Sequence, residues 1–188
     1  MYATKLKVFL VFSIMSLGIA HYGFGQQDYE EGYIVTDKND TVYGQVSDRK
    51  TGPFSKIYKR IRFRGKGLKK QFSPKKILAY KKGGETFRSM LLDGENHFFK
   101  VISKGYVSHY VYELQEQGEQ LVQEIDYLQK QGNGDLVRAT QGILGIKRKK
   151  LAQLFYDCPK LVEKINNKDL KSVSEIVTFY NLWKKEGS

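Results

Sequence analysis

One cysteine, Cys158, in 188 residues excludes an internal disulfide framework and a Cys-rich zinc site. Histidine is nearly as scarce: His21, His97 and His109 stand far apart, which leaves little for metal chemistry. Only three prolines occur, and no tract is of low complexity. With 40% hydrophobic and 28% charged residues, the chain lacks the composition of a disordered polymer. Gly-x-Ser-x-Gly, His-Glu-x-x-His and P-loop motifs are all missing. Gly65-Lys66-Gly67 holds two glycines, but no helical pattern follows to cradle a phosphate. No cofactor, no metal site and no catalytic residue is therefore expected. Acid is the other scarce component, and its scarcity is local. Between Asp48 and Glu85 there are fourteen Lys or Arg and no Asp or Glu, in a chain with a formal charge of +12.

The N-terminus reads as an export signal over residues 1–25. Lys5 and Lys7 form a short positive region, and Val8 to Ala20 is an apolar run of 13 residues. Spanning about 30 Å of hydrocarbon takes about 20 residues, so this run is too short for a transmembrane helix. Gly23 and Gly25 fill the small-residue positions before a cleavage site at Gln26. With no cysteine beside that site, lipid attachment to a thiol is not expected. Losing Lys5 and Lys7 takes the charge from +12 to +10, and no later apolar run has membrane length. Export, periplasmic or otherwise envelope-associated, is the expectation. In an oxidising compartment Cys158 is then expected to be packed in a core.

Residues 26–142 carry strand and turn signals. Tyr33 to Thr36 and Thr41 to Val46 flank the polar turn Asp37-Lys38-Asn39-Asp40, which predicts a hairpin. Gly84-Glu85, Gly94-Glu95, Gly118-Glu119 and Gly134-Asp135 mark further turns at irregular spacing. The strand candidates between them are Ile57–Arg64, Leu68–Phe72, Ile77–Tyr80, Thr86–Leu91, His97–Ile102, Tyr106–Glu113 and Leu121–Leu128. After Gly145 the apolar period becomes helical. Pro159 stands at a helix start, and Ser172-Val173-Ser174-Glu175 is a capping-box pattern ahead of Ile176, Val177, Tyr180 and Trp183. The expectation is an α+β fold: an antiparallel β-meander sheet or partly closed barrel, followed by a small C-terminal helical segment (143–188) packed on it. The strands are too short and too charged for a lipid-facing barrel.

Several stretches resemble those of a group of exported, β-rich proteins of Bacteroidetes-type bacteria. They are Gly32-Tyr33-Ile34-Val35 with Asp40-Thr41-Val42-Tyr43-Gly44, Phe72-Ser73-Pro74-Lys75-Lys76-Ile77, Phe98-Phe99-Lys100-Val101 running into Gly105-Tyr106-Val107-Ser108, and Cys158-Pro159 to Tyr180-Asn181. The resemblance implies an exported or cell-envelope protein of β-rich fold. It carries no activity and no site residue.

In Ile57-Tyr58-Lys59-Arg60-Ile61-Arg62-Phe63-Arg64, strand alternation sets Arg60, Arg62 and Arg64 on one face beside Tyr58, with Ile57, Ile61 and Phe63 on the other. Like charges in a row repel, and no nearby acid relieves them. Arg forks match planar oxyanions, so the row suits a phosphate-bearing or acidic polymer. Lys69, Lys70, Lys75 and Lys76, with Lys81 and Lys82, widen the basic region. The expected function is an exported, non-catalytic envelope protein that binds an anionic polymer or lipid headgroup. Chromosomal nucleic acid is not the expected partner. Two alternatives stand beside it: an envelope enzyme acting on glycan or peptide, and a structural partner of another envelope protein. Glu95 and His97 share a strand face but have no nucleophile in sequence. Tyr106, Tyr110 and Tyr112 share a face, and core packing is expected of them; His109 shares a face with valines and is expected to be a hydrogen-bonded core or edge histidine.

Overall fold

The computed structural model describes residues 29–47, 60–114, 123–132, 134–141 and 145–187. The proposed signal segment, Tyr58 and the Gly118-Glu119 turn lie outside the described residues. Ten strands form one antiparallel sheet: β1 Tyr29–Thr36, β2 Thr41–Ser47, β3 Ile61–Gly65, β4 Leu68–Phe72, β5 Ile77–Lys82, β6 Glu85–Leu92, β7 Glu95–Ser103, β8 Val107–Leu114, β9 Gln123–Lys130 and β10 Val137–Arg138. Among the described residues three helices follow: α1 Arg148–Leu154, α2 Pro159–Asn166 and α3 Val173–Lys185. The lateral order is β10-β9-β8-β7-β6-β5-β1-β2-β3-β4, and the sheet does not close. This is the α+β arrangement that the sequence predicts, in its open form. No helix among the described residues is long and apolar enough to cross a membrane.

The meander has one departure. β1 pairs with both β2 and β5, so β4 and β5, consecutive in the chain, lie three strands apart. Four inter-strand spacings of about 4.8 Å would separate them by about 19 Å in a flat sheet. Only residues 73–76 join them, and five residue steps reach about 17 Å fully extended. The 3₁₀ turn at Pro74–Lys76 shortens that reach further. The first five strands must therefore curl, with the right-handed twist that strands adopt. β2 and β5 do approach each other across β1.

The curl gives this half of the sheet two unlike faces. On one, Ile34, Val46, Ile61, Phe63, Ile77, Tyr80, Phe87 and Phe98 form a core. The Tyr80 ring stacks on Phe87 at 4.6 Å and meets Phe98 edge-on at 4.9 Å. Two glycines let the strands close on this core. A Cβ on Gly44 would stand 2.7 Å from the Phe63 ring, and one on Gly32 would stand 1.9 Å from the Lys81 carbonyl oxygen. Gly32→Ala must therefore push β5 away from β1. It is expected to lower stability by about 1–3 kcal/mol, read as a lower urea midpoint. An unchanged midpoint would show that the curl is soft.

Towards β8–β10 the same face is covered by the helices. Val107, Leu128 and Ala139 pack with Leu151, Phe155, Cys158, Leu161, Ile165, Val173, Ile176, Val177 and Tyr180. Buried Cys158 and the burial of Ile176 and Tyr180 follow the expectation, while Trp183 is only half-buried. Pro159 opens α2 as predicted. Ser172 caps α3, its Oγ accepting from the Glu175 N–H at 3.2 Å. The return arm of the capping box differs: the Glu175 carboxylate accepts from the Lys171 N–H at 2.7 Å, one residue before the cap. α3 is pinned to β8 by Asn181, whose side chain accepts from the Val107 N–H at 2.8 Å and donates to the Val107 carbonyl at 2.9 Å.

Three local expectations shift. Of the strand expected at Leu121–Leu128, Leu121 and Val122 lie outside the described residues, and its other end runs on to Lys130, with the turn at Gly132 (φ 79°) instead of Gly134. β3 begins at Ile61, so Arg60 precedes it. Tyr106 precedes β8 and is 44% exposed, whereas Tyr110 and Tyr112 pack with Phe99, Ile125 and Tyr127 on the opposite face from the helices. Register explains the difference, since a residue ahead of the ladder is not held to its alternation.

Candidate anion-binding face

The other face of β1–β4 is built by simple alternation. Its core-facing partners are Ile34, Val46, Ile61 and Phe63, so Tyr29, Glu31, Tyr33, Tyr43, Gln45, Arg62, Arg64 and Lys69 must point the opposite way. Cross-strand pairing then lines them up in rows. Lys69 pairs with Arg64, Arg64 with Gln45, and Gln45 with Glu31. The next row runs Gln71, Arg62, Ser47, Tyr29. On the far side of the first, Tyr43 pairs with Tyr33, and Tyr33 with Lys81.

Side-chain contacts hold this surface in place. The Arg64 guanidinium lies over the Tyr29 ring, 4.1 Å from its centroid. Its Nε donates to the Gln45 carboxamide oxygen at 2.6 Å, and the Gln45 nitrogen donates to the Glu31 carboxylate at 2.7 Å. A long side chain bound at two points loses less freedom when it takes a ligand. Arg64, Lys69 and Gln71 are exposed, and Arg62 is half-buried. Tyr43 meets Tyr33 edge-on at 5.8 Å yet is itself 67% exposed.

The predicted basic residues do not all join this face. Arg62, Arg64 and Lys69 come together, with Arg60 exposed just ahead of β3. Lys70 alternates to the other side, its Nζ 5.7 Å from the centre of the Phe72 ring. Lys75 and Lys76 are exposed in the 3₁₀ turn between β4 and β5. Lys81 joins the tyrosine row, whereas Lys82 alternates away and pairs with Glu30 at 3.3 Å. Sequence reasoning missed Tyr29, Tyr33, Tyr43 and Gln45. The signal was present: once the Asp37–Asp40 turn fixes the hairpin, period-2 alternation puts all four on the face away from Ile34 and Val46.

Two other clusters place titratable groups together. Glu95 and His97 do share a face, with carboxylate and imidazole 4.0 Å apart, and the Tyr112 hydroxyl lies 3.2 Å from His97 Nδ1. His109 is buried, as expected, between the Asp126 carboxylate at 2.6 Å and the Ser174 hydroxyl at 3.5 Å. That chain of groups has the order used in acyl transfer. It also spans the β8–α3 interface, which Asn181 clamps two helical turns away. Among the described residues, no group of three or more His, Cys, Asp or Glu is placed to hold a metal ion. No family model, curated protein or solved structure matches this chain.

Proposed function

We propose that this is an exported, non-catalytic cell-envelope protein that holds an anionic polymer on the outer face of β1–β4. The observation that carries the reading is the cluster of Arg62, Arg64 and Lys69, in two adjacent rows of one sheet face with Arg64 and Lys69 exposed, inside a stretch of fourteen basic residues without an acid. Cations held side by side repel one another, and a polyanion relieves that repulsion while releasing its counterions. Arg60, Lys75 and Lys76 lie beside this face in the chain and extend its field. Lys70 contributes charge from the opposite side. Export rests on the sequence pattern of residues 1–25, and it makes an envelope polymer the partner in preference to chromosomal nucleic acid. The resemblance to exported Bacteroidetes-type proteins points the same way.

Two measurements test the reading. N-terminal sequencing of protein from the envelope fraction is expected to begin at or near Gln26; an intact Met1 there would remove the cleaved signal. Retention of the purified protein on heparin is expected to fall as salt rises. The Arg62→Gln/Arg64→Gln/Lys69→Gln variant should elute earlier and depend less steeply on salt. Equal elution of variant and parent would mean that the cluster is an ordinary solvated surface. Tighter retention on anionic phospholipid vesicles than on heparin would assign the charge to a membrane instead.

A further inference from the structure

The geometry points to a particular ligand class for that face: an acidic polysaccharide, whose sugar rings lie on the tyrosine row while its carboxylates or sulfates meet the arginine row. This rests on the anion-binding reading and narrows it. Three observations carry it.

The first is Tyr43. A tyrosine 67% exposed in the middle of a hairpin contributes little to the core, and its partner Tyr33 holds it edge-on at 5.8 Å. A ring held by a neighbour and open to solvent is a platform for another flat or semi-flat apolar surface. Sugar rings present such a surface in their axial C–H groups.

The second is the arrangement of the rows. Tyr43 and Gln45 lie two residues apart on one strand, so the Tyr43–Tyr33–Lys81 row and the Lys69–Arg64–Gln45–Glu31 row lie about 7 Å from each other. A linear polymer laid across the strands meets rings on one side and cations on the other. Tyr43, Arg64 and Lys69 are exposed across three neighbouring strands, an arrangement that suits a chain running past without a terminus to bury.

The third is Glu31. It stands in the cationic row, tied to Gln45, and with Gln45 and Gln71 it interleaves acceptors among the cations. Hydroxyl groups of a glycan donate to such acceptors. The phosphodiester backbone of DNA has no donor to offer them. A bare lipid headgroup surface gains nothing from the tyrosine platform unless apolar side chains insert beside it, and the aliphatic residues next to the tyrosines on this face, Val35 and Ala79, are half-buried.

The experiment compares the purified full-length protein with Tyr43→Ala and with Arg62→Gln/Arg64→Gln/Lys69→Gln. The probes are heparin, hyaluronan, oligodeoxythymidylate and anionic phosphatidylglycerol vesicles, and far-ultraviolet circular dichroism checks that each variant folds. Tyr43→Ala is expected to weaken heparin and hyaluronan binding by roughly five- to tenfold with the salt slope unchanged. The triple variant should flatten the salt slope. Heparin binding that the triple variant loses but Tyr43→Ala leaves intact would overturn the glycan assignment and keep the anion-binding face. Tighter binding of oligodeoxythymidylate than of either glycan would also overturn it, in favour of nucleic acid. Failure of every probe to bind the parent protein at low salt would overturn both readings.

Discussion

Ending the chain after Asn167 is expected to unfold the C-terminal half of the sheet, not merely to trim a tail. α3 supplies Val173, Ile176, Val177 and Tyr180 to a core that also contains Val107 and Leu128. Losing even one large apolar side chain from such a core costs about 2–5 kcal/mol, and the stability of a whole domain is only about 5–15 kcal/mol. The truncation also removes both Asn181 bonds to Val107 and the Ser174 contact to buried His109. The other core on this face, built on Phe63, Tyr80 and Phe87 from β3, β5 and β6, contains no α3 residue. Amide exchange should therefore show β8, β9 and β10 losing protection first and furthest. A truncated chain that melts like the full one would show that the helices are an appendage.

The hairpins were legible because their information is local. Asn39 (φ 67°), Gly83 (φ 54°) and Gly94 (φ 81°) occupy positive-φ positions in polar turns, and the alternating segments on either side pair with each other. The helical end was legible for the same reason: Pro159 and Ser172 act within one turn of the elements that they start. What the sequence left open is non-local. Nothing near Tyr33 shows that β5 will pair on its far side and bring Lys81 alongside. That pairing follows from the short link at residues 73–76 and the curl it enforces. The candidate face was half legible in consequence. The arginine alternation in β3 was visible along one strand, but its union with Tyr29, Tyr33, Tyr43 and Gln45 needed the order of three strands. Lys69 and Lys70 show the limit of counting charge: adjacent in sequence, they end on opposite faces.

Asp157→Ala is expected to cost about 3 kcal/mol, because it strips the acceptor from two donors at once. Tyr180 donates its hydroxyl to one carboxylate oxygen at 2.7 Å, and Lys130 Nζ donates to the other at 2.9 Å while also bonding the Leu154 carbonyl at 3.1 Å. The Lys130 ammonium lies 4.8 Å from the centre of the Tyr180 ring, so loss of the carboxylate strands a half-buried charge against aromatic carbon. The network joins β9 to α3 across the loop before α2, which makes it a latch between the sheet and the helices. Its titration gives the sign of the pH dependence. Partial burial alone would raise the Asp157 carboxyl, but the hydrogen bonds from Tyr180 and Lys130 and the charge of Lys130 outweigh burial and hold it below its ordinary 3.8. A depressed carboxylate contributes stability that is present above pH 3.8 and lost as pH falls through its lower, folded value. Burial first, then the bond to Asp157, pushes the Tyr180 phenol above its ordinary 10.0, so its contribution is complete below that pH and is lost as pH rises beyond it. Urea midpoints measured across pH should thus show a plateau bounded by an acid and an alkaline decline. Asp157→Asn should reduce the acid decline and Tyr180→Phe the alkaline one, each beside a lower plateau. If both variants keep the parent's profile, the latch does not couple to folding and other groups set the pH limits.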